Sequence, residues 1–102
     1  MKTYEGELFY TYILTNKNNT VLYVGFTIEM SKRLSEHIDK VYKNSFSAKY
    51  NLNKLIYFET HNAVGAARKR EKQLKKWNRE WKENLVQDMN PDWGDLSWML
   101  EG

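Results

Sequence analysis

The first clear pattern is Phe9 to Thr15, an aromatic and β-branched run, answered by Val21 to Phe26 after the polar stretch Asn16-Lys17-Asn18-Asn19. Two such runs around a turn-forming tetrapeptide predict a β-hairpin. With Asn16 to Asn19 as the loop, Thr15 pairs with Thr20 and Tyr12 falls directly opposite Tyr23, so two phenols stand on one face. Gly25 lies beside them, and its missing side chain leaves room for a ligand to approach the backbone. A cross-strand aromatic pair buried in the core is the plainer reading of the same pattern.

Helical periodicity follows. Met30, Leu34, Ile38 and Val41 form one apolar stripe, with Thr27 or Ser31 as its cap. Arg33 and His37 are four apart and share one border of that stripe, as packed filler or as a cation and a proton carrier on one rigid wall. A polar loop is expected from Tyr42 to Asn53, then a third strand at Leu55 to Phe58. Thr60 or Asn62 would cap the next helix, whose apolar face runs through Val64, Ala67 and Leu74. Glu71 sits in the same phase, although Lys69, Lys72, Gln73 and Lys76 show that the helix has a proper polar side. A carboxylate among core positions needs a cation or hydrogen-bond donors. It would be either a structural partner of Arg33 or Arg68, or a metal ligand. A last helix from about Arg79 to Met89, with Trp81, Leu85 and Met89 inward, ends at Asn90-Pro91. The tail from Asp92 to Leu100 is expected to pack back on the domain, or to offer Trp93 to Leu100 to a protein partner.

Composition narrows the classes. A chain of 102 residues supports one domain, taken as 1–102 with the segment from about 79 to 102 packed on it. No window is apolar enough for a membrane helix, and the N-terminus lacks the apolar run of a secretory signal, so a cytoplasmic location is expected. The absence of cysteine removes disulfides, thiol nucleophiles and Cys-ligated metals, and two histidines make a multi-histidine site improbable. The net charge of +3 hides strong segregation: Arg68 to Lys82 holds eight basic residues against two acids, whereas Glu83 to Gly102 has five acids and no lysine or arginine. Such a block is either a solvated helix face or the footprint of a polyanion, and Trp77 and Trp81 within it could stack on bases or simply pack.

Two phenols, an arginine, a histidine and an inward carboxylate form a set suited to phosphodiester hydrolysis. A cation neutralises the phosphate, an arginine holds developing negative charge, and a phenol or imidazole handles the proton of water. One acidic ligand points to Mg²⁺, or Mn²⁺, rather than to zinc.

These residues resemble the GIY-YIG nuclease superfamily, specifically its small stand-alone bacterial members related to the nuclease domain of the excision-repair subunit UvrC. Tyr10-Thr11-Tyr12 stands where that family has Gly-Ile-Tyr, and Tyr23-Val24-Gly25 where it has Tyr-Ile-Gly. Arg33 and His37 match its helical arginine and histidine, and Glu71, within Arg-Glu-Lys-Gln, its metal-binding glutamate. The first motif keeps only its tyrosine, Phe26 replaces a lysine of some relatives, and Asn84 and Asn90 both stand as candidates for a late asparagine. The resemblance implies a compact α+β fold with a central three-stranded antiparallel sheet flanked by helices. It further implies a metal-dependent DNA endonuclease of repair or DNA processing, with RNA left open as substrate. Glu71 would bind the ion and Arg33 stabilise the transition state. Tyr12 would orient or deprotonate water, supported by Tyr23 and relayed by His37, while Lys69, Lys72, Lys76 and Arg79 would grip nucleic acid. The alternatives are a non-catalytic nucleic-acid-binding module and a protein-interaction domain using the tail.

Overall fold

The computed structural model of the protein describes residues 8–38 and 46–100. A three-stranded antiparallel sheet is formed by β1 (Phe9–Thr15), β2 (Leu22–Thr27) and β3 (Lys54–His61), with β1 in the middle. Helix α1 (Met30–Ile38) follows the hairpin, the single turn α2 (Phe46–Lys49) precedes β3, and α3 (Val64–Lys76) and α4 (Arg79–Met89) come after it. A 3-10 turn at Ser97–Leu100 closes the described chain. No helix among the described residues is long and apolar enough to cross a membrane.

Period-two alternation along β1 divides the core into two layers. Tyr12 and Leu14 pack with Met30, Leu34, Leu52, Leu55 and Leu96 on the α1 side. Ile13 packs with Val24, Ile56, Tyr57, Leu74 and Val86 on the side of α3 and α4. Thr11, fully buried on this second face, donates its hydroxyl to the carbonyl of Ala67 at 2.7 Å and so ties α3 to the central strand.

The hairpin forms in a register different from the one expected. Thr15 pairs with Leu22 and Tyr12 with Gly25, so the loop is 16–21 and Tyr23 lies opposite Leu14. The cause is Asn16, whose Oδ1 accepts from the amides of Thr20 at 2.8 Å and Val21 at 3.3 Å, while Nδ2 donates to the Thr20 hydroxyl at 2.6 Å. Those bonds replace strand pairing, and Asn19 takes the left-handed backbone (φ 58°) that an asparagine tolerates. Because the slip is two residues, each side chain keeps its face. Tyr12 and Tyr23 remain neighbours, now on the diagonal.

Other expectations are revised in detail. The Thr27 hydroxyl accepts from the amide of Glu29 at 3.1 Å, just ahead of α1, leaving Ser31 inside the helix. Met30 and Leu34 are buried as expected, whereas the Ile38 side chain and Val41 lie outside the described residues. The expected polar loop contains α2 and two buried apolar anchors, Ala48 and Leu52. Strand β3 extends through Thr60 to His61, so Thr60 is no cap; α3 starts after Ala63 without any side-chain cap, and Val64 is exposed. In α4 the inner residue is Val86, with Leu85 beside it, whereas Trp81 and Met89 face outward. Leu85 and Val86 are only about 100° apart on a helix, so the apolar pattern did not choose between the two phases; the space under the sheet did.

The tail packs on the domain along the free edge of β3. The register shift between Ile13 and Leu14 leaves Ile56 as an extra residue, and its carbonyl accepts from Nδ2 of buried Asn90 at 3.1 Å. The same amide reaches Gly94 O at 2.8 Å, Leu96 N donates to Leu55 O at 2.7 Å, and Asp95 Oδ1 accepts from Leu55 N at 3.3 Å. Leu96 then enters the α1-side core while Trp98 and Met99 remain exposed. An edge strand is thereby covered by its own chain.

Asn90→Ala removes two hydrogen bonds and strands a bulge carbonyl away from water, so it should lower unfolding stability by about 2 kcal/mol in urea titrations. A loss within error of zero would mean that water replaces the amide and that this clamp is dispensable.

Candidate active site

The site is built around one phenol. Tyr12 points from β1 across β2, and a Cβ placed on Gly25 would overlap its Cζ and Oη. Gly25 therefore makes room for Tyr12 itself, not for an approaching ligand. The ring is wholly buried, and its hydroxyl emerges toward the α1 layer at the β2 edge of the sheet. There it lies 3.1 Å from His37 Nε2 and 3.5 Å from Arg33 Nε, which donates to it. Tyr23 completes the cluster, its ring centroid 6.4 Å from Tyr12 and 5.7 Å from His37. The i, i+4 placement of Arg33 and His37 on α1 brings both to the same hydroxyl.

Glu71 lies on α3, which packs on the other face of the sheet. Its carboxylate, with 19% of the side chain exposed, pairs with Lys75 Nζ at 2.9 Å, so neither Arg33 nor Arg68 is its partner in this structure. Arg68 instead lies 5.9 Å over the ring of Phe26 on β2. Tyr12 thus meets three of the other four expected residues, His37, Arg33 and Tyr23, whereas Glu71 only adds the smallest of the effects that shift the phenol. Exposure is uneven: Tyr12 and His37 are buried, and Arg33 alone of the five lines the adjacent open cleft of about 340 Å³. That cleft also carries Lys32, Glu29 and Glu36, the last 3.4 Å from Arg33 Nη1.

Burial dominates the protonation states. It pushes the Tyr12 phenol up to about 12, against the Arg33 hydrogen bond and with help from Tyr23 and Glu71. His37 is pushed down to about 4, first by burial and then by the Arg33 guanidinium, with Glu36 opposing. At neutral pH the pair is therefore a neutral phenol beside a neutral imidazole. The nearby cation does not lower Tyr12 below its ordinary value, so the phenol is not a base by itself at neutral pH.

The basic residues divide as well. Lys69, Lys72 and Lys76 are exposed on the outer face of α3. Arg79 has a structural engagement: Nη1 donates to Thr20 O at 2.9 Å, Nη2 to Asn19 O at 2.7 Å, and Nε to Glu83 at 2.8 Å. It fastens α4 to the hairpin loop. Asn90 is absorbed by the β3 clamp and Asn84 is exposed, so neither joins the Tyr12 cluster. Sequence reasoning missed a second polar cluster, in which Glu59 on β3 holds Tyr57, His61 and Arg70. Its signal was the run Tyr57, Glu59, His61 at period two, which places three polar-tipped groups on one face.

The sheet thus presents a tyrosine pair backed by a helical arginine and histidine, with a glutamate on the helix of the far face. Residues 8–84 match the GIY-YIG catalytic domain, and the chain belongs to that family, a family of nucleases that generally use divalent metal ions. A UPF0213 protein of Syntrophus aciditrophicus (strain SB) is 35% identical over 83 residues, which span 81% of this chain and 93% of that relative. A UPF0213 protein of Bacillus halodurans, solved by solution NMR, is 24% identical with a TM-score of 0.49, over 78% of this chain and 82% of that one.

Two outcomes test the geometry. Gly25→Ala forces a methyl into the Tyr12 ring, and should cost about 1–3 kcal/mol of stability while displacing the hydroxyl from His37; an unshifted His37 resonance by NMR would contradict this. The second concerns pH. The unfolded chain protonates His37 near 6.5 but the folded protein only near 4, so the unfolded state binds more protons between those values and stability falls as pH drops through that window. Relative to His37→Gln, the wild type should lose on the order of 2 kcal/mol more between pH 7 and pH 5. Parallel profiles in urea titrations would place His37 in water.

Proposed function

We propose that the protein is a metal-dependent DNA endonuclease of the cytoplasm, acting in repair or DNA processing, with its chemistry centred on Tyr12. The observation that carries this reading is the convergence of Arg33 and His37 on one phenol hydroxyl, with the Tyr23 ring packed against the rings of Tyr12 and His37.

The donor set suits a hard cation. Glu71 contributes one carboxylate, and no group of three or more His, Cys, Asp or Glu side chains is assembled among the described residues, as a zinc site would require. Mg²⁺, or Mn²⁺, takes one or two protein carboxylates and keeps its other ligands as water. When bound at Glu71 it supplies charge neutralisation at the phosphate and a more acidic water. Lys75 holds the same carboxylate, so its ammonium must yield or move aside for an ion to be held there.

The residues of the chain perform the other tasks. Arg33, the member lining the open cleft, faces the phosphate and stabilises the charge that builds on its oxygens. Tyr12, whose hydroxyl is buried in this structure, orients the attacking water once the cleft at Arg33 opens to it, with Tyr23 packed beside it to fix the ring. His37 shares a hydrogen bond with the phenol hydroxyl through Nε2 and, in the tautomer protonated at Nδ1, places a neutral acceptor behind it. Lys69, Lys72 and Lys76 project away from the buried face of α3 and hold flanking phosphates rather than the scissile one. Arg79 supports this surface indirectly, by anchoring α4.

Glu71→Gln keeps size and removes the anionic ligand. It should fold as the wild type does and lose at least about 100-fold in Mg²⁺-dependent cleavage, assayed on single-stranded, duplex and branched DNA and on RNA. Nucleic-acid binding with no cleavage by the wild type in Mg²⁺ or Mn²⁺ would favour a non-catalytic binding module instead.

A further inference from the structure

The cluster around Glu59 lies on the α3 side of the sheet, toward the edge opposite β2. Arg70 places Nε 3.0 Å from both oxygens of Glu59 and Nη2 2.9 Å from Oε2. The Tyr57 hydroxyl donates to Oε2, and His61 Nε2 lies 3.3 Å from Oε1. The Arg70 guanidinium also donates to Gln73 and rests 5.1 Å over the ring of Trp77, at the end of α3. Both members of the ion pair keep only about a fifth of their side chains exposed, at 23% for Arg70 and 20% for Glu59. This is a multiply bonded, half-buried contact, unlike the freely solvated pairs that contribute little.

Its position on the helix gives it leverage. Taking Ala67 as the direction of the sheet, helical geometry puts Leu74 close to the same line, Arg70 about 60° to one side and Glu71 about 40° to the other. The two flanks are pinned to different strands, since Arg70 grips Glu59 on β3 and Arg68 lies over Phe26 on β2. At a side-chain radius of roughly 5–6 Å, a 10° rotation of α3 displaces the Glu71 carboxylate by about 1 Å. Displacements of that size are large on the scale that catalysis tolerates.

We propose that the Glu59–Arg70 clamp, braced by Tyr57 and Trp77, is a positioning device that fixes the rotation of α3 and so aims Glu71 at the Tyr12 cluster from the opposite flank. The inference rests on the reading of Glu71 as the metal ligand. Neither Glu59 nor Arg70 touches the Tyr12 cluster; both act through the helix backbone. Burial and the bond to Glu59 hold the Tyr57 phenol well above its ordinary value, so it remains a donor to the clamp across the working pH range.

The test compares wild type, Arg70→Met and Glu59→Gln for Mn²⁺ binding, followed by the electron paramagnetic resonance of free Mn²⁺, and for cleavage as a function of Mn²⁺. Arg70→Met keeps an apolar stem over Trp77 and loses the fork. Both variants should bind Mn²⁺ about tenfold more weakly, with cleavage at saturating Mn²⁺ within about threefold of wild type. Arg70→Lys, which keeps the charge through a single contact, should fall between wild type and Arg70→Met and serves if Arg70→Met does not fold. The chain has no cysteine, so spin labels at Lys17→Cys and Lys72→Cys report the α3-to-hairpin distance without metal, and its distribution should broaden in Arg70→Met. Variants that melt earlier yet bind Mn²⁺ as the wild type does would overturn the proposal, reducing the clamp to a fold contact. A distance distribution that does not change would also overturn it. A wild type that neither binds Mn²⁺ nor cleaves removes the proposed function and the positioning role together, while the label distances still show whether the clamp holds the helix.

Discussion

The constraint on which the rest of the molecule depends is the double pairing of β1. As the central strand it is hydrogen-bonded to β2 on one side and β3 on the other, so its backbone is fixed at every position and its side chains are committed to two opposite layers. Consecutive residues then serve different halves of the protein. Thr11 binds the carbonyl of Ala67 and docks α3, while Tyr12 turns to the other layer and meets α1. The two elements that carry the polar groups of the site are thereby referred to adjacent residues of one rigid strand. A glutamate of one layer and an arginine and histidine of the other are in this way held relative to a single strand.

The site's edge of the sheet is β2, and its usefulness comes from what Gly25 lacks. A side chain there would occupy the space of the Tyr12 ring, so the phenol lies across the strand and delivers its hydroxyl to the rim of the sheet. The environment that results is dry around the phenol and imidazole and wet around the guanidinium. Both titratable groups respond in the same sense, toward neutrality, because desolvation penalises whichever form is charged. Arg33 alone keeps its charge and has access to solvent, which suits contact with an anion. Around Tyr12 the chain gathers His37, Arg33 and the ring of Tyr23.

Charge is segregated by depth as well as along the chain. On α3 the outward lysines are solvated, whereas Arg70, Glu71 and Arg68 lie on the flanks of the buried line and each engages something specific. The dense basic block of the sequence is therefore several surfaces with different uses. Arg79 belongs to a third, tying α4 to the loop that Asn16 folds. Of the lysines in that block, Lys82 is partly buried, and its ammonium is held below its ordinary value by that burial and by Arg79.

The sequence by itself determined the three strands, the three longer helices, their order and the face of almost every strand residue, though not the short turn α2, because period two and period 3.6 are properties of local backbone geometry. It also determined which chemical groups were available, including the anomaly of Glu71 among core positions. The hairpin shows where that information stops: the faces of Tyr12 and Tyr23 were legible, but the register was not, since it depended on one amide side chain satisfying two backbone donors. The phase of α4 was likewise undecided until a sheet was present for Val86 to fill. Two matters were left wholly to the tertiary structure. One is the partner of each charge, so that Glu71 met Lys75 and Arg70 found Glu59 from another element. The other is the protonation of Tyr12 and His37, because desolvation is a property of what surrounds a group in space, and no local pattern records it.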